Sequence, residues 1–378
     1  MGEARRALVR GLSTARQELN LIPRKAPSRL TNRLVRTRML GGVRGRGLAA
    51  PSYSILLSSP SRVLKTLTLD YIWIKSLYGG WVMLVHGVFS GGGVKGIAFI
   101  GAYQVLEEKG IRFDQVAGTS AGALFASLIA AGYTSEELFQ MFSDLDFRDF
   151  LDETDAFASF PIIRWVPLYW RLGLYKGRAL EKWIAGRLWK KGIHTFSDLP
   201  PNALRLIASD LTNGTMMVLP DDLPRYGLSW KTFPVAKAVR ISCSLPYFFE
   251  PVRLKTEKGK IVLVDGGVLS NFPVWLFEEG RMQRKRPIIG IKLSQEKEVI
   301  PPKRIKNALQ LFEALFTTMM DAHDARYISK KHTANLIFIP TEGINATDFS
   351  LSEEKKNTLL QIGRERTKEF LKTWRRVF

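Results

Sequence analysis

The chain has 378 residues, a formal net charge of +21, 46% hydrophobic and 24% charged residues. That length suits one large domain, alone or with an appendage, and the composition is ordinary for a soluble globular protein with a sizeable core. The single cysteine, Cys243, excludes an internal disulfide framework and points to a reducing compartment; among small apolar neighbours it reads as a buried structural thiol.

Charge is spread unevenly. Residues 1–82 hold 15 Lys+Arg against 3 Asp+Glu. Sustained apolar periodicity is lacking before about Tyr53, so no structure is forced on most of this segment. It fits an Arg-rich organelle-targeting segment, a basic arm for anionic lipid, or an upstream extension with Met83 as the effective start. A nucleic-acid-binding tail is a fourth reading, but no recognisable motif supports it. The extension is preferred, because Met83 opens the first strand of the motif region and the Arg-to-Lys ratio shifts there. Tyr71 to Phe89 comes closest to a membrane span, yet Lys75 interrupts it and its later half is better used as a strand. The first 20 residues alternate charge and apolar residues, unlike a signal peptide, so export is not expected. A cytoplasmic, membrane-associated protein is.

Met83 to Phe89 predicts a strand, followed by Ser90-Gly91-Gly92-Gly93-Val94-Lys95-Gly96 and a helix from Ile97 to about Lys109. Consecutive glycines after a strand expose backbone N–H groups that can hold an anion, and Lys95 adds positive charge. Opposite a nucleophile, such a loop forms an oxyanion hole. Gly91, Gly93 and Gly96 also satisfy G-x-G-x-x-G, with Asp114 18 residues further on, which fits a dinucleotide site. That reading ranks second, because the next strand runs straight into Gly118-Thr119-Ser120-Ala121-Gly122 and the crossover is short. A serine between such a strand and the buried-type helix Ala121 to Ala131 has the G-x-S-x-G geometry of a nucleophile. The plainer alternative is a small-residue turn that lets strand and helix pack.

Ser135 is placed to cap a helix carrying Glu136 and Glu137. The aspartates at 144, 146, 149, 152 and 155 lack calcium-loop spacing and read as a solvated acidic face. Phe157, Phe160, Trp165, Tyr169, Trp170 and Tyr175, interleaved with Arg164 and Arg171, fit either a cap over the sheet or a lipid headgroup boundary. Strands are expected over Leu204 to Ala208 and Thr215 to Leu219, with Asp210 in the turn between them. A helix is expected over Val235 to Ser242. Val252 to Leu254 and Ile261 to Val264 read as paired strands, the second ending in Asp265-Gly266-Gly267. A carboxylate there is either a working residue or a turn aspartate. Asn271 and Pro273 should start a helix. Then follow a strand over Ile288 to Leu293, a helical pattern over Lys303 to Lys331, a strand over Leu336 to Ile339, and a basic amphipathic helix over Glu353 to Phe378.

Taken in order, Gly-Gly-Gly-Val-Lys-Gly, Gly-Thr-Ser-Ala-Gly and Asp-Gly-Gly resemble the patatin-like phospholipase family. The resemblance spans about Met83 to Pro340 and takes in Ser209–Gly214, Ile241–Pro246 and Asp265–Pro273. It implies an α/β fold, a three-layer sandwich with a central, mostly parallel sheet flanked by helices, and hydrolysis of lipid acyl esters. Carried over, it makes Ser120 the nucleophile and Asp265 the general base. It places Gly91, Gly92, Gly93 and Lys95 around the oxyanion, with Gly118, Gly122 and Gly266 in support. No cofactor or metal is implied; the partner is a lipid or membrane surface, and nucleic acid is not expected. The expected organisation is an N-terminal extension over 1–82, an acyl hydrolase domain over 83–340 and a C-terminal helix over 341–378.

Four histidines bear on the mechanism. Ser120, Asp265 and then His323 or His332 fit the chain order of a Ser-Asp-His triad. Neither histidine sits in a Gly-rich loop after a strand, and His86 lies inside the first strand. A Ser–Asp dyad is therefore preferred. A triad carboxylesterase and a non-catalytic dinucleotide-binding or regulatory protein are the alternatives.

Overall fold

The computed structural model describes residues 73–75, 81–152, 170–257, 259–277, 286–294, 305, 311, 314–320, 324, 335–341 and 343–374. Most of the 1–82 extension, the aromatics Phe157 to Tyr169, and both His323 and His332 lie outside the described residues.

The strands are β1 (Trp73–Lys75), β2 (Trp81–Phe89), β3 (Ile111–Gly118), β4 (Gly173–Tyr175), β5 (Leu204–Asp210), β6 (Thr215–Leu219), β7 (Tyr247–Phe249), β8 (Val252–Thr256), β9 (Gly259–Asp265), β10 (Ile288–Ser294) and β11 (Leu336–Pro340). Among the described residues a nine-stranded sheet has the order β11-β10-β2-β3-β5-β9-β8, with β1 paired to β2 and β6 to β5. From β11 to β5 every neighbour is parallel. Strands β9 and β8 continue the sheet antiparallel. The helices are α1 (Ile97–Glu108), α2 (Ala121–Ala130), α3 (Ser135–Ser143), α4 (Arg178–Lys190), α5 (Val235–Ser242) and α6 (Glu353–Trp374). The fold is thus α/β, with a mostly parallel central sheet and flanking helices.

The arrangement follows from the residues. Parallel strands buried on both faces need near-continuous apolar runs, and Val85, Val88 and Phe89 of β2 are fully buried. Helix α2 is apolar all round and buried over nearly its whole length, as a helix inside a core must be. Helices α1 and α6 meet at two glycines. A Cβ on Gly101 would lie 2.0 Å from the Leu360 carbonyl oxygen, and one on Gly363 would lie 2.1 Å from that of Ala98. Only glycine allows the two backbones so close, and α6 thereby docks its apolar side on the body of the fold.

Four local expectations change. Thr134, not Ser135, caps α3, and it forms a reciprocal capping box with Glu137. The acidic stretch is only partly a solvated face. Asp146 caps a 3-10 turn that buries Phe147 and Phe150, while the Asp152 carboxylate accepts the N–H groups of Arg178 (3.1 Å) and Ala179 (2.9 Å) at the start of α4. After Asp265 the described residues make two short 3-10 turns, Gly266–Val268 and Val274–Phe277, where a helix is expected to start. Strand β2 also starts two residues early, at Trp81.

Candidate active site

Strand order reverses about β2, with β3 and β5 on one side and β10 and β11 on the other. Loops at the carboxyl ends of strands flanking such a switch point part to leave a crevice. The glycine loop follows β2 and Ser120 follows β3. Register brings Asp265 to them. Gly118 pairs with Leu206 and Asp265 with Ala208, so two residues past the last β3–β5 pair, Ser120 is level with Asp265 on the next strand but one.

Ser120 holds φ +53°, ψ −123° at the head of α2. A non-glycine residue there costs about 1–3 kcal/mol and persists only where its surroundings over-determine it. The flanking glycines make it possible. A Cβ at Gly118 would sit 2.3 Å from the Gly122 oxygen, and one at Gly122 2.2 Å from the Phe89 oxygen. Ser120 is half-buried, with the positive end of α2 behind it.

Asp265 is only 1% exposed. Its Oδ1 accepts the Gly267 N–H at 2.7 Å, while Oδ2 has no conventional hydrogen-bond partner. Burial pushes the carboxyl up to about 7; the Ser120 hydroxyl, which faces it, and the Gly267 N–H pull the other way. Pairs of this kind often tighten only when substrate binds. Among the described residues the two histidines, His86 and His194, have other ring partners. His86 is stacked on Phe277, and burial lowers its pKa to about 4. His194 lies edge-on to Trp189.

The glycine loop departs from expectation at two positions. The Gly91 N–H donates to the Asn271 carbonyl (3.1 Å), so that amide is already used. Lys95 lies on the 3-10 turn Gly93–Gly96 and does not line the cavity. Gly92 and Gly93 do line it. Gly93 has φ +60°, and a Cβ there would lie 2.0 Å from the Ala346 carbonyl oxygen, so it is irreplaceable on both counts. Asn271 is itself pinned: its Nδ2 donates to Asp324 Oδ2 (3.1 Å), which is also bonded to Lys292 in a buried ion pair. Gly266 has a Cβ position 2.3 Å from the Ile207 oxygen, which lets β9 turn tightly beside β5.

Ser120 and Asp265 open on a cavity of about 400 Å³. Its walls are mostly apolar and include Phe147, Phe150, Leu180, Phe248, Phe316 and Phe349. Sequence reasoning missed Phe147, Phe150, Phe349 and Asn271 as site residues. The available signal was two large apolar residues, Phe147 and Phe150, set among aspartates. The acid of the dinucleotide reading, Asp114, is ion-paired to Arg286 at 2.9 Å.

The glycine loop, serine turn and strand-end aspartate thus meet at one cavity on an α/β sheet, and likeness to known proteins gives the family. The chain belongs to the patatin-like phospholipase family, whose model matches residues 87–277. It is 58% identical over 292 residues to the uncharacterised protein YqhO of Bacillus subtilis, covering 77% of this chain and 99% of that one. It is 28% identical over 192 residues to Lysophospholipase NTE1 of Debaryomyces hansenii, covering 50% of this chain and 10% of that protein. VipD from Legionella pneumophila aligns with 79% of this chain and 69% of its own, at 18% identity and a TM-score of 0.47. Family membership supports lipid hydrolase activity.

Proposed function

We propose that the protein is a phospholipase A-type acyl hydrolase working through a Ser120–Asp265 dyad. One observation carries this reading: the strained, half-buried serine faces a buried carboxylate whose second oxygen has no other partner, beside a long apolar cavity. Asp265, held near neutrality by burial, takes the Ser120 proton as Oγ attacks the ester carbonyl. The amides of Gly92 and Gly93 stabilise the oxyanion, and the head of α2 adds its dipole. The acyl chain lies along the phenylalanine-lined cavity. The alcohol leaves with the proton from Asp265, which then draws a proton from water to release the fatty acid.

Lipid is the substrate best matched to an apolar cavity with one polar end. Tyr247, which lines the cavity, is exposed, and so are Trp170, Leu172, Leu315 and Met319, each within a few residues in sequence of a lining residue. Exposed large apolar side chains of this kind suit contact with a bilayer surface. Among the described residues no helix is long and apolar enough to cross a membrane.

The test is fatty-acid release from mixed phospholipid vesicles by wild type and Ser120→Ala. Release lost in the variant is expected. Equal release from both would overturn the assignment of Ser120. Activity lost in His323→Ala or His332→Ala would replace the dyad by a triad.

A further inference from the structure

The segment Ile241-Ser242-Cys243-Ser244, at the end of α5, stood out in the sequence without acquiring a role. In the structure it touches both members of the dyad. The Ser120 N–H donates to Ser242 Oγ (3.1 Å), and the Ser242 hydroxyl donates onward to the Ile207 carbonyl of β5 (2.6 Å). Cys243 Sγ donates to the Ser120 carbonyl (3.1 Å). The Asp265 N–H donates to the Ser244 carbonyl (2.9 Å). The segment is itself held by buried Arg240, which donates to Ser244 Oγ and to the carbonyls of Lys176 (2.7 Å) and Glu250 (2.9 Å).

The three contacts differ in weight. The Ser120 carbonyl also accepts the N–H groups of Ala123 (2.8 Å) and Leu124 (3.1 Å), so Cys243 adds a third donor to a group already satisfied. The Ser120 N–H has Ser242 as its partner. Strand β3 ends at Gly118, and the chain must leave the sheet for the α2 turn. Ser242 enters where the next β3–β5 rung would fall and relays it through its hydroxyl. Its own burial is complete, so water cannot substitute. A strained φ needs such fixing, because a small rotation there swings Oγ away from the carboxylate.

We propose that Ser242 is the positioning residue of the nucleophile: its hydroxyl, bridging the end of β3 to β5, aims Ser120 Oγ at Asp265. This rests on the dyad reading above. The same segment fixes Asp265 from its backbone, so serine and carboxylate share one frame.

The test uses an alkyl fluorophosphonate on the full chain. Ser120 Oγ forms a bond to phosphorus, fluoride leaves, and the serine proton passes to Asp265. Ser242→Ala is expected to slow this labelling, and kcat on lipid, by about 10- to 100-fold with KM little changed. Tyr226→Phe, which removes a part-buried hydrogen bond to Asp210, neither residue lining the cavity, should label at the wild-type rate. Ser242→Thr keeps a hydroxyl and should recover most of the rate. Should Ser242→Ala not fold, Ser242→Cys, a weaker acceptor of similar size, serves instead and should fall in between.

A second readout separates aim from mere stability. The Ser120 hydroxyl lowers the Asp265 pKa, so losing that contact must raise it. The acid limb of kcat/KM should move to higher pH in Ser242→Ala and stay in place in Ser242→Thr. The titratable group beside Asp265 is the Cys243 thiol, which burial, and then the Asp265 charge, push far up and keep neutral throughout; buried Arg240 stands behind it. Wild-type labelling by Ser242→Ala, with Ser120→Ala unlabelled, would overturn the role of Ser242 and leave the dyad standing. Undiminished labelling of Ser120→Ala would remove both.

Discussion

Asp210 and Asp265 each end a strand, β5 and β9, two residues apart on the same antiparallel ladder, and both are buried. Their surroundings differ. Asp210 accepts the N–H groups of Thr212 (2.9 Å) and Asn213 (3.1 Å), the Asn213 amide (2.6 Å) and the Tyr226 hydroxyl (3.0 Å). Asp265 has one backbone donor and an open Oδ2 turned to a serine. A buried carboxylate with four donors holds a turn together. One with a single firm donor has its ionisation held near neutral pH, where it can give and take a proton. The two carboxylates thus differ in the satisfaction of the second oxygen and not in burial or strand-end position, and in the proposed dyad that difference leaves Asp265 to serve Ser120.

The most severe break in this contrast is Asp265→Asn. It should lower kcat by about 10²- to 10⁴-fold while the protein stays folded. The matching Asp210→Asn should leave the pH profile of kcat/KM in place.

The next effect is on stability against pH. The folded pKa of Asp265 is raised from 3.8 to about 7, so between those values the folded state binds more protons than the unfolded. Its contribution is therefore most favourable below about pH 4 and is lost as pH rises towards 7, at roughly 1.4 kcal/mol for each step of one in pH. Denaturant midpoints should show Asp265→Asn gaining on wild type at pH 8 relative to pH 5. A difference independent of pH would contradict the raised pKa. The kcat/KM of wild type should show its acid limb near pH 7, since the base must be ionised.

Asp210→Asn should then cost about 1.5–3 kcal/mol, because it exchanges charge-assisted acceptance for an amide that turns a donor towards donors. Tyr226→Phe removes one of the four donors, and should cost about 1 kcal/mol in urea unfolding without moving the acid limb. A shifted limb in Tyr226→Phe would mean that the two carboxylates are coupled after all.

Much of the frame was legible in the sequence. Helix α5 lies where the residue pattern put it, α1, α2 and β11 do so to within about a residue and β8 and β9 to within two, because each carries a local signal of periodicity and stop residues. The glycine loop and serine turn were legible for the same reason: their strain must be met by residues next to it in the chain. The failures are also physical. Thr134 and Ser135 both suit a cap, and only the Glu137 contact chooses between them. Pro273 and the residues after it look like a helix start, yet the chain there is spent in short turns around the Asn271 and Ser270 carbonyls, which hold Gly91 and Thr119.

The sequence by itself determined the motif order, the strand–turn–helix around Ser120 and the family, since all three rest on short-range patterns. Only the tertiary structure decided which groups face one another. It committed the Gly91 amide to Asn271, left Lys95 off the cavity and set Ser242 under the Ser120 N–H. Those outcomes depend on strand register and on contacts between residues more than 100 positions apart, such as Ser120 with Ser242. No local signal carries them, because packing across the sheet selects the partner of each buried polar atom.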